Sequence, residues 1–179
     1  MLSGAGLRFA VRPADIDEAP LAGEAPANYV RRLSIEKAAA SMDSPLASPA
    51  EIVLAADTTV DVTGEIFEKP LDFDDAYRML RMLSGRTHLV HTGVTVSVPI
   101  AGARRSSTIV VTTEVTFAAL EDAAIDWYLE TGEAMDKAGA YGVQGAAGAF
   151  VEKINGSVTN VIGLPLAETL TLLRGAAKA

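Results

Sequence analysis

Ile52-Val53-Leu54-Ala55-Ala56-Asp57-Thr58-Thr59 is the stretch on which the fold turns. Five apolar residues run without interruption into a carboxylate and two hydroxyls. A short unbroken apolar run reads as a strand buried on both faces, of the kind found in the middle of an α/β sheet. Ligands of such sheets collect at the carboxyl ends of strands, and the pattern places Asp57 at that end. Two readings are open for it. It can start a turn and cap backbone N–H groups, or it can hold a metal or activate a water at the floor of a site.

Downstream, residues 59–62 continue extended, Thr63-Gly64 turns, and residues 65–67 return. Glu68-Lys69-Pro70 then breaks the pairing. A residue before proline is driven to extended backbone, which gives Lys69 a defined direction on a loop. Asp72 is placed to cap a helix with Asp75 at its third position, and Ala76, Met79, Leu80 and Leu83 follow at helical spacing up to Gly85. Val90, Thr92, Val94, Val96 and Val98 alternate along a long strand, a turn is expected over 99–102, and Ile109, Val111, Val115 and Phe117 alternate along a second. Two long neighbouring strands read as an antiparallel hairpin. Residues 120–131 read as a helix ending at Gly132. The stretch 136–148 is dense in glycine, which permits positive φ and close approach of backbone to ligand. It lacks the ending of a phosphate-binding P-loop and the spacing of a dinucleotide fingerprint. Residues 150–154 and 157–162 flank Asn155-Gly156 and read as a hairpin. Pro165 opens a last helix with Leu166, Leu170 and Leu173.

Upstream, Pro26 is suited to the first turn of a helix running to about residue 41, with Tyr29, Val30, Leu33 and Ala40 on its apolar stripe. Lys37 lies along the edge of that stripe. It either lays its stem on the core with its amine in water or aims the amine across the sheet at an anion. Leu7-Arg8-Phe9-Ala10-Val11 alternates like a strand, and Pro13-Ala14-Asp15-Ile16-Asp17-Glu18 reads as an acidic loop.

The chain has 179 residues, enough for one domain with a real core. Its 23 acidic and 15 basic residues give a net charge of -8, which argues against a general nucleic-acid binder. Cysteine is absent, which removes disulfides, thiolate nucleophiles and sulfur-ligated zinc and fits a cytoplasmic protein. The two histidines, His88 and His91, point to opposite faces of the strand that carries them. The chemistry that remains is carboxylates, lysines, hydroxyls and a hard cation such as Mg²⁺. No apolar stretch approaches the length of a membrane span, and the opening residues carry no signal-peptide pattern.

Taken in order, these pieces resemble the Maf family of nucleoside triphosphate pyrophosphatases. The resemblance rests on Asp15-Ile16-Asp17-Glu18, Tyr29-Val30-Arg31-Arg32-Leu33, Glu36-Lys37-Ala38, Ala56-Asp57-Thr58, Glu68-Lys69-Pro70 and Leu83-Ser84-Gly85-Arg86-Thr87-His88. It continues through Val111-Thr112-Thr113-Glu114-Val115-Thr116-Phe117, the run from Asp136 to Tyr141-Gly142-Val143-Gln144-Gly145, and Asn160-Val161-Ile162-Gly163-Leu164-Pro165-Leu166. It implies a single elongated α/β domain over 1–179, with a mixed sheet, flanking helices and a central cleft, related to inosine triphosphate pyrophosphatases. It implies hydrolysis of a nucleoside triphosphate to monophosphate and pyrophosphate with a divalent cation, Mg²⁺ or Mn²⁺ in its place. By motif, Asp57 is the general base or metal-organising carboxylate, Glu18 is a second site and metal carboxylate, and Lys37 and Lys69 face phosphate. Thr58 and Gln144 match positions tied to substrate choice. The Tyr-Gly-Val-Gln-Gly version resembles the branch acting on dTTP and UTP rather than on 7-methyl-GTP. Family members are often dimeric, so a homodimer is within the expectation. Lys137 with Asp136 reads equally as a structural ion pair and as an anchor for its loop.

The family opens with a strand and a Ser-x-Ser-Pro-Arg-Arg loop, whereas Met1-Leu2-Ser3-Gly4-Ala5-Gly6 aligns with the end of the helix that follows them. The strand, the serines and the paired arginines are therefore expected to be missing. Either the sequence starts at an internal Met of an ordinary enzyme, or it belongs to a short nucleotide-binding or cell-division regulatory protein. The intact Asp57, Lys69 and Gln144 favour the first.

Overall fold

A computed structural model describes residues 1–100 and 103–177. Its centre is a five-stranded sheet in the order β2-β1-β3-β4-β5. The strands are β1 (Val53–Val62), β2 (Glu65–Phe67), β3 (Thr87–Ile100), β4 (Ala103–Phe117) and β5 (Val151–Asn155). The helices are α1 (Pro26–Met42), α2 (Phe73–Leu83), α3 (Asp122–Glu130), α4 (Val158–Val161) and α5 (Leu166–Ala177). The α/β class and the flanking helices are those expected, and each of the described pairings is antiparallel. The turn expected over 99–102 includes residues 101 and 102, which lie outside the described residues. Among the described residues, no helix is long and apolar enough to cross a membrane.

Three expectations are corrected. Asp57 is not at the end of its strand. Thr58-Thr59-Val60-Asp61-Val62 keeps the β-branched character that suits a pleated surface, and β1 runs on through it to Val62. Leu7 to Val11 belong to no strand, and Phe9 and Val11 are exposed. Their alternation finds no neighbouring edge to pair with, and an unpaired strand has no ladder to stabilise it. Asn155-Gly156 closes no hairpin. β5 pairs with β4, while Ser157 accepts from the Asn160 N–H at 3.2 Å and starts α4. A serine that can cap a helix competed with the turn signal and prevailed.

The two sheet faces carry different loads. On one, Val60, Val62, Phe67, Val90, Val115 and Phe117 pack against α2, α3 and the loop around Tyr141. α2 is there because Asp72 accepts from the Asp75 N–H at 2.8 Å at its start and Gly85 takes φ 66 beyond its end. On the other face, α1 lays Tyr29, Val30 and Leu33 on the sheet. The backbone of α1 rests directly on Gly93, where an added Cβ would stand 2.2 Å from the Val30 carbonyl oxygen.

The histidines do point to opposite faces. His91 lies between Asp61 and Thr112. His88 is in the main core, edge-on to Phe117 and bonded through Nε2 to the Tyr141 hydroxyl at 2.8 Å. Its Nδ1 is buried with no hydrogen-bond partner among the described residues. Burial lowers its pKa from 6.5 to about 4. Between those values the unfolded chain binds a proton that the folded chain refuses, so stability is full above about pH 6.5 and falls as pH drops toward 4. The loss is about 3 kcal/mol. Urea denaturation from pH 7 to 4 is expected to show this slope, flattened in His88→Gln, which can still bond Tyr141. Parallel pH dependence in the two proteins would remove the account.

Candidate active site

A cleft of about 760 Å³ runs along the outer side of β1. It exists because β2 is short. β2 pairs only with Val60, Asp61 and Val62, so the earlier part of β1 has β3 on one side and no described strand on the other. Residues Ala56 to Val60 form the cleft wall at that open edge.

Successive side chains of a strand point to opposite faces. Asp57 points toward α1, and its Oδ1 accepts from the Lys37 Nζ at 2.6 Å. Glu18 joins the same amine through Oε1 at 2.9 Å. Lys37 therefore turns its amine to two carboxylates of the cleft. It sits one turn past the Leu33 position, so its stem crosses the sheet edge while its amine meets both carboxylates. The loop carrying Glu18 is held by Arg32, which donates to the Ala19 carbonyl at 3.1 Å and pairs with Glu24 at 2.7 Å. Asp17 accepts from the Ala19 N–H at 3.0 Å and is used in that turn. This leaves Glu18, not Asp17, to face the cleft.

Burial pushes the Asp57 carboxyl above the ordinary aspartate range; the Lys37 ammonium opposes the rise, and Glu18 and Glu68 add to it. Burial acts on Lys37 in the downward direction, but its bonds to Asp57 and Glu18 win, and it holds its proton more firmly than an ordinary lysine. Lys37 is thus the neighbour that favours the charged form of Asp57 against its surroundings.

Thr58 faces the opposite way. Its hydroxyl meets Thr92 at 2.8 Å and donates to the Gly163 carbonyl at 3.3 Å. Lys69 is exposed at the cleft mouth. The ion pairs of the cleft among the described residues join Lys37 to Glu18 and Asp57, and Lys137 to Asp136; Lys69 is in none of them. The Glu68 carbonyl accepts from the Gly139 N–H at 3.0 Å, which ties the Lys69 segment to the glycine-dense loop. Gly139 has φ 68, and a Cβ there would press on Val60 at 2.8 Å, so the loop lies flat on β1 only with glycine at this position. That loop brings Gln144 into the lining of the cleft.

All six residues read from the sequence, Glu18, Lys37, Asp57, Thr58, Lys69 and Gln144, thus line one cleft. Of the further polar residues of the cleft that were not singled out, three bear on its chemistry. Glu68 accepts from the Tyr29 hydroxyl at 2.9 Å, and Tyr29 is held protonated by burial and by that carboxylate. Glu133 is the third. The signal for Glu68 was its place beside Lys69; a tyrosine inside an apolar stripe gives none.

The lining carries five carboxylates and three amines. A polyanion entering such a cleft meets a formal excess of negative charge unless cations come with it. Among the described residues, no group of three or more ligand side chains is close enough to hold a metal ion. The meeting of Glu18 and Asp57 on one ammonium does supply two hard oxygen donors. That set fits a cation of the Mg²⁺ type, which takes one or two carboxylates and completes its shell with water and substrate phosphate.

Fold and cleft together define an α/β protein whose site pairs carboxylates with lysines along an open sheet edge. The chain belongs to the Maf family: the family model described as Maf-like protein matches residues 1–176. It is 54% identical over 176 residues to the dTTP/UTP pyrophosphatase of Anaeromyxobacter dehalogenans (strain 2CP-C), covering 98% of this chain and 87% of that protein. It is 49% identical over 176 residues to the dTTP/UTP pyrophosphatase of Myxococcus xanthus (strain DK1622), covering 98% of this chain and 86% of that one. The dTTP/UTP pyrophosphatase of Hahella chejuensis (strain KCTC 2396) is 46% identical over 174 residues, 97% of this chain and 85% of its own length.

Proposed function

We propose that this chain hydrolyses dTTP and UTP to the nucleoside monophosphate and pyrophosphate. The observation that carries the reading is the convergence of Asp57 and Glu18 on Lys37, with Lys69 outside every ion pair of the cleft among the described residues. The relatives bearing the dTTP/UTP pyrophosphatase name support the choice of substrate.

Asp57 accepts the proton of a water that attacks the α-phosphorus. The new bond joins the water oxygen to that phosphorus. The bond from it to the bridging oxygen breaks, and the electron pair leaves with pyrophosphate. Lys37 keeps Asp57 charged and fixes its direction. Lys69 meets the phosphate chain at the mouth. Gln144 offers a donor and an acceptor to the base edge, and Thr58 holds the floor of the base side through Thr92 and Gly163. A divalent cation held by Glu18 and Asp57 would supply charge neutralisation on the departing pyrophosphate.

The test is product analysis with dTTP, UTP and 7-methyl-GTP in Mg²⁺. Pyrophosphate with dTMP or UMP is the expected result, with 7-methyl-GTP the poorest substrate. Orthophosphate as the first product would replace this reading by that of a simple phosphatase. Nucleotide binding without turnover would replace it by that of a binding protein.

A further inference from the structure

Gln144 sits in a turn closed by the Gly145 N–H donating to the Gly142 carbonyl at 3.0 Å. A turn with glycine at both ends has little stiffness of its own. Something outside it must fix the direction in which Gln144 points. Glu133 is placed to do this. Its Oε2 accepts from the Ala146 N–H, immediately after the turn, at 2.9 Å. Glu133 is itself fixed just beyond α3, where its N–H donates to the Thr131 hydroxyl at 3.2 Å and that hydroxyl donates to the Tyr128 carbonyl at 2.6 Å. The fit is tight. A Cβ on Gly145 would stand 1.9 Å from Glu133 Oε2, so the carboxylate reaches its place only because residue 145 has no side chain. The backbone of Gly145 does not otherwise demand glycine: its φ is -101 and its ψ is -157.

We propose that Glu133 is a positioning residue for base selection. Its carboxylate grips the exit of the 142–145 turn and so sets Gln144 against the nucleobase. The inference rests on the reading of this cleft as a pyrimidine triphosphate site and adds to it the residue that makes the base end rigid. The phosphate end stands on other elements: Lys37 on α1, Asp57 on β1 and Lys69 on the loop after β2. Loss of the Glu133 grip is therefore felt in base preference and KM before it is felt in kcat.

The variants are Glu133→Ala, Glu133→Gln, Gly145→Ala and the double variant Glu133→Ala/Gly145→Ala. The readouts are kcat and KM for dTTP and dGTP, with calorimetric affinity for both nucleotides as a measure that needs no turnover. Glu133→Ala is expected to raise KM for dTTP about tenfold, the scale of one lost charge-assisted hydrogen bond, and to shrink the preference for dTTP over dGTP. Glu133→Gln keeps an acceptor for the Ala146 N–H and restores most of the preference. Gly145→Ala displaces the carboxylate and copies Glu133→Ala, and the double variant is no worse than either single one. Equal loss toward both nucleotides, or additive effects in the double variant, would overturn the role. A native chain that binds and cleaves dTTP and dGTP alike would instead overturn the pyrimidine reading, leaving Glu133 no preference to enforce.

Discussion

Asp57→Asn lowers the kcat for pyrophosphate release from dTTP by about a thousandfold, the range over which a positioned general base acts, and leaves the fold standing. The two halves of this expectation have one cause. The Asp57 side chain is 9% exposed and its charge is opposed by burial and by Glu18 and Glu68. Lys37 is the neighbour that favours its charged form. Asparagine has the same shape and keeps an oxygen for the Lys37 amine, but it cannot take a proton or carry the full charge. The cost of desolvating a carboxylate disappears, and Glu18 still partners Lys37 at 2.9 Å. The melting temperature of Asp57→Asn is therefore expected to equal or exceed that of the native chain, because removing a strained site charge often stabilises. Lys37→Met makes the contrast. It strips the cation from between Asp57 and Glu18 and leaves a buried charge without a partner, so stability and activity fall together. A loss of less than tenfold in Asp57→Asn, with KM unchanged, would show that Asp57 is not the proton acceptor.

The site was more legible in the sequence than the connections between its parts. α2 could be read residue by residue, since Asp72, Asp75 and Gly85 act within a few positions of one another. Asp57 could be read as a candidate because it ends an apolar run, and Lys37 because it lies at the edge of the α1 stripe. Their meeting at 2.6 Å could not, since it depends on how α1 crosses the sheet. The same limit explains Leu7 to Val11. Alternation states what a strand would bury, and whether an edge is waiting for it is a property of the rest of the molecule. Asn155-Gly156 shows a second limit. A strong turn signal and a helix cap stood side by side, and the pairing of β5 with β4 decided between them. Glu133 escaped notice because its partner is a backbone N–H, which every residue but proline carries.

Gly93→Ala is expected to cost about 3 kcal/mol of stability, at the upper end for overpacking, and to remove most activity although residue 93 lines no part of the cleft. Gly93 has no positive φ to protect, so its backbone would accept alanine. The obstacle is α1. A Cβ at 93 would lie 2.2 Å from the Val30 oxygen, 2.6 Å from its carbonyl carbon and 3.0 Å from the Arg31 nitrogen. All three are helix backbone, and no rotamer change moves them. The helix must lift or the strand must bend, and either loosens Tyr29, Val30 and Leu33, each nearly or fully buried in the contact. Register carries the damage to the site, because Gly93 is the β3 partner of Asp57. The point where α1 touches the sheet is thus beside the carboxylate that its own Lys37 must reach, two turns along the helix. Lifting α1 by even 1 Å stretches the bond between Lys37 and Asp57 and draws the Lys37 amine away from Glu18. Chemical denaturation measures the stability term, and dTTP turnover well below the melting temperature measures the second. An alanine variant that is destabilised yet turns over normally would mean that Lys37 follows Asp57 by its own flexibility, and that the close approach of α1 serves the core alone.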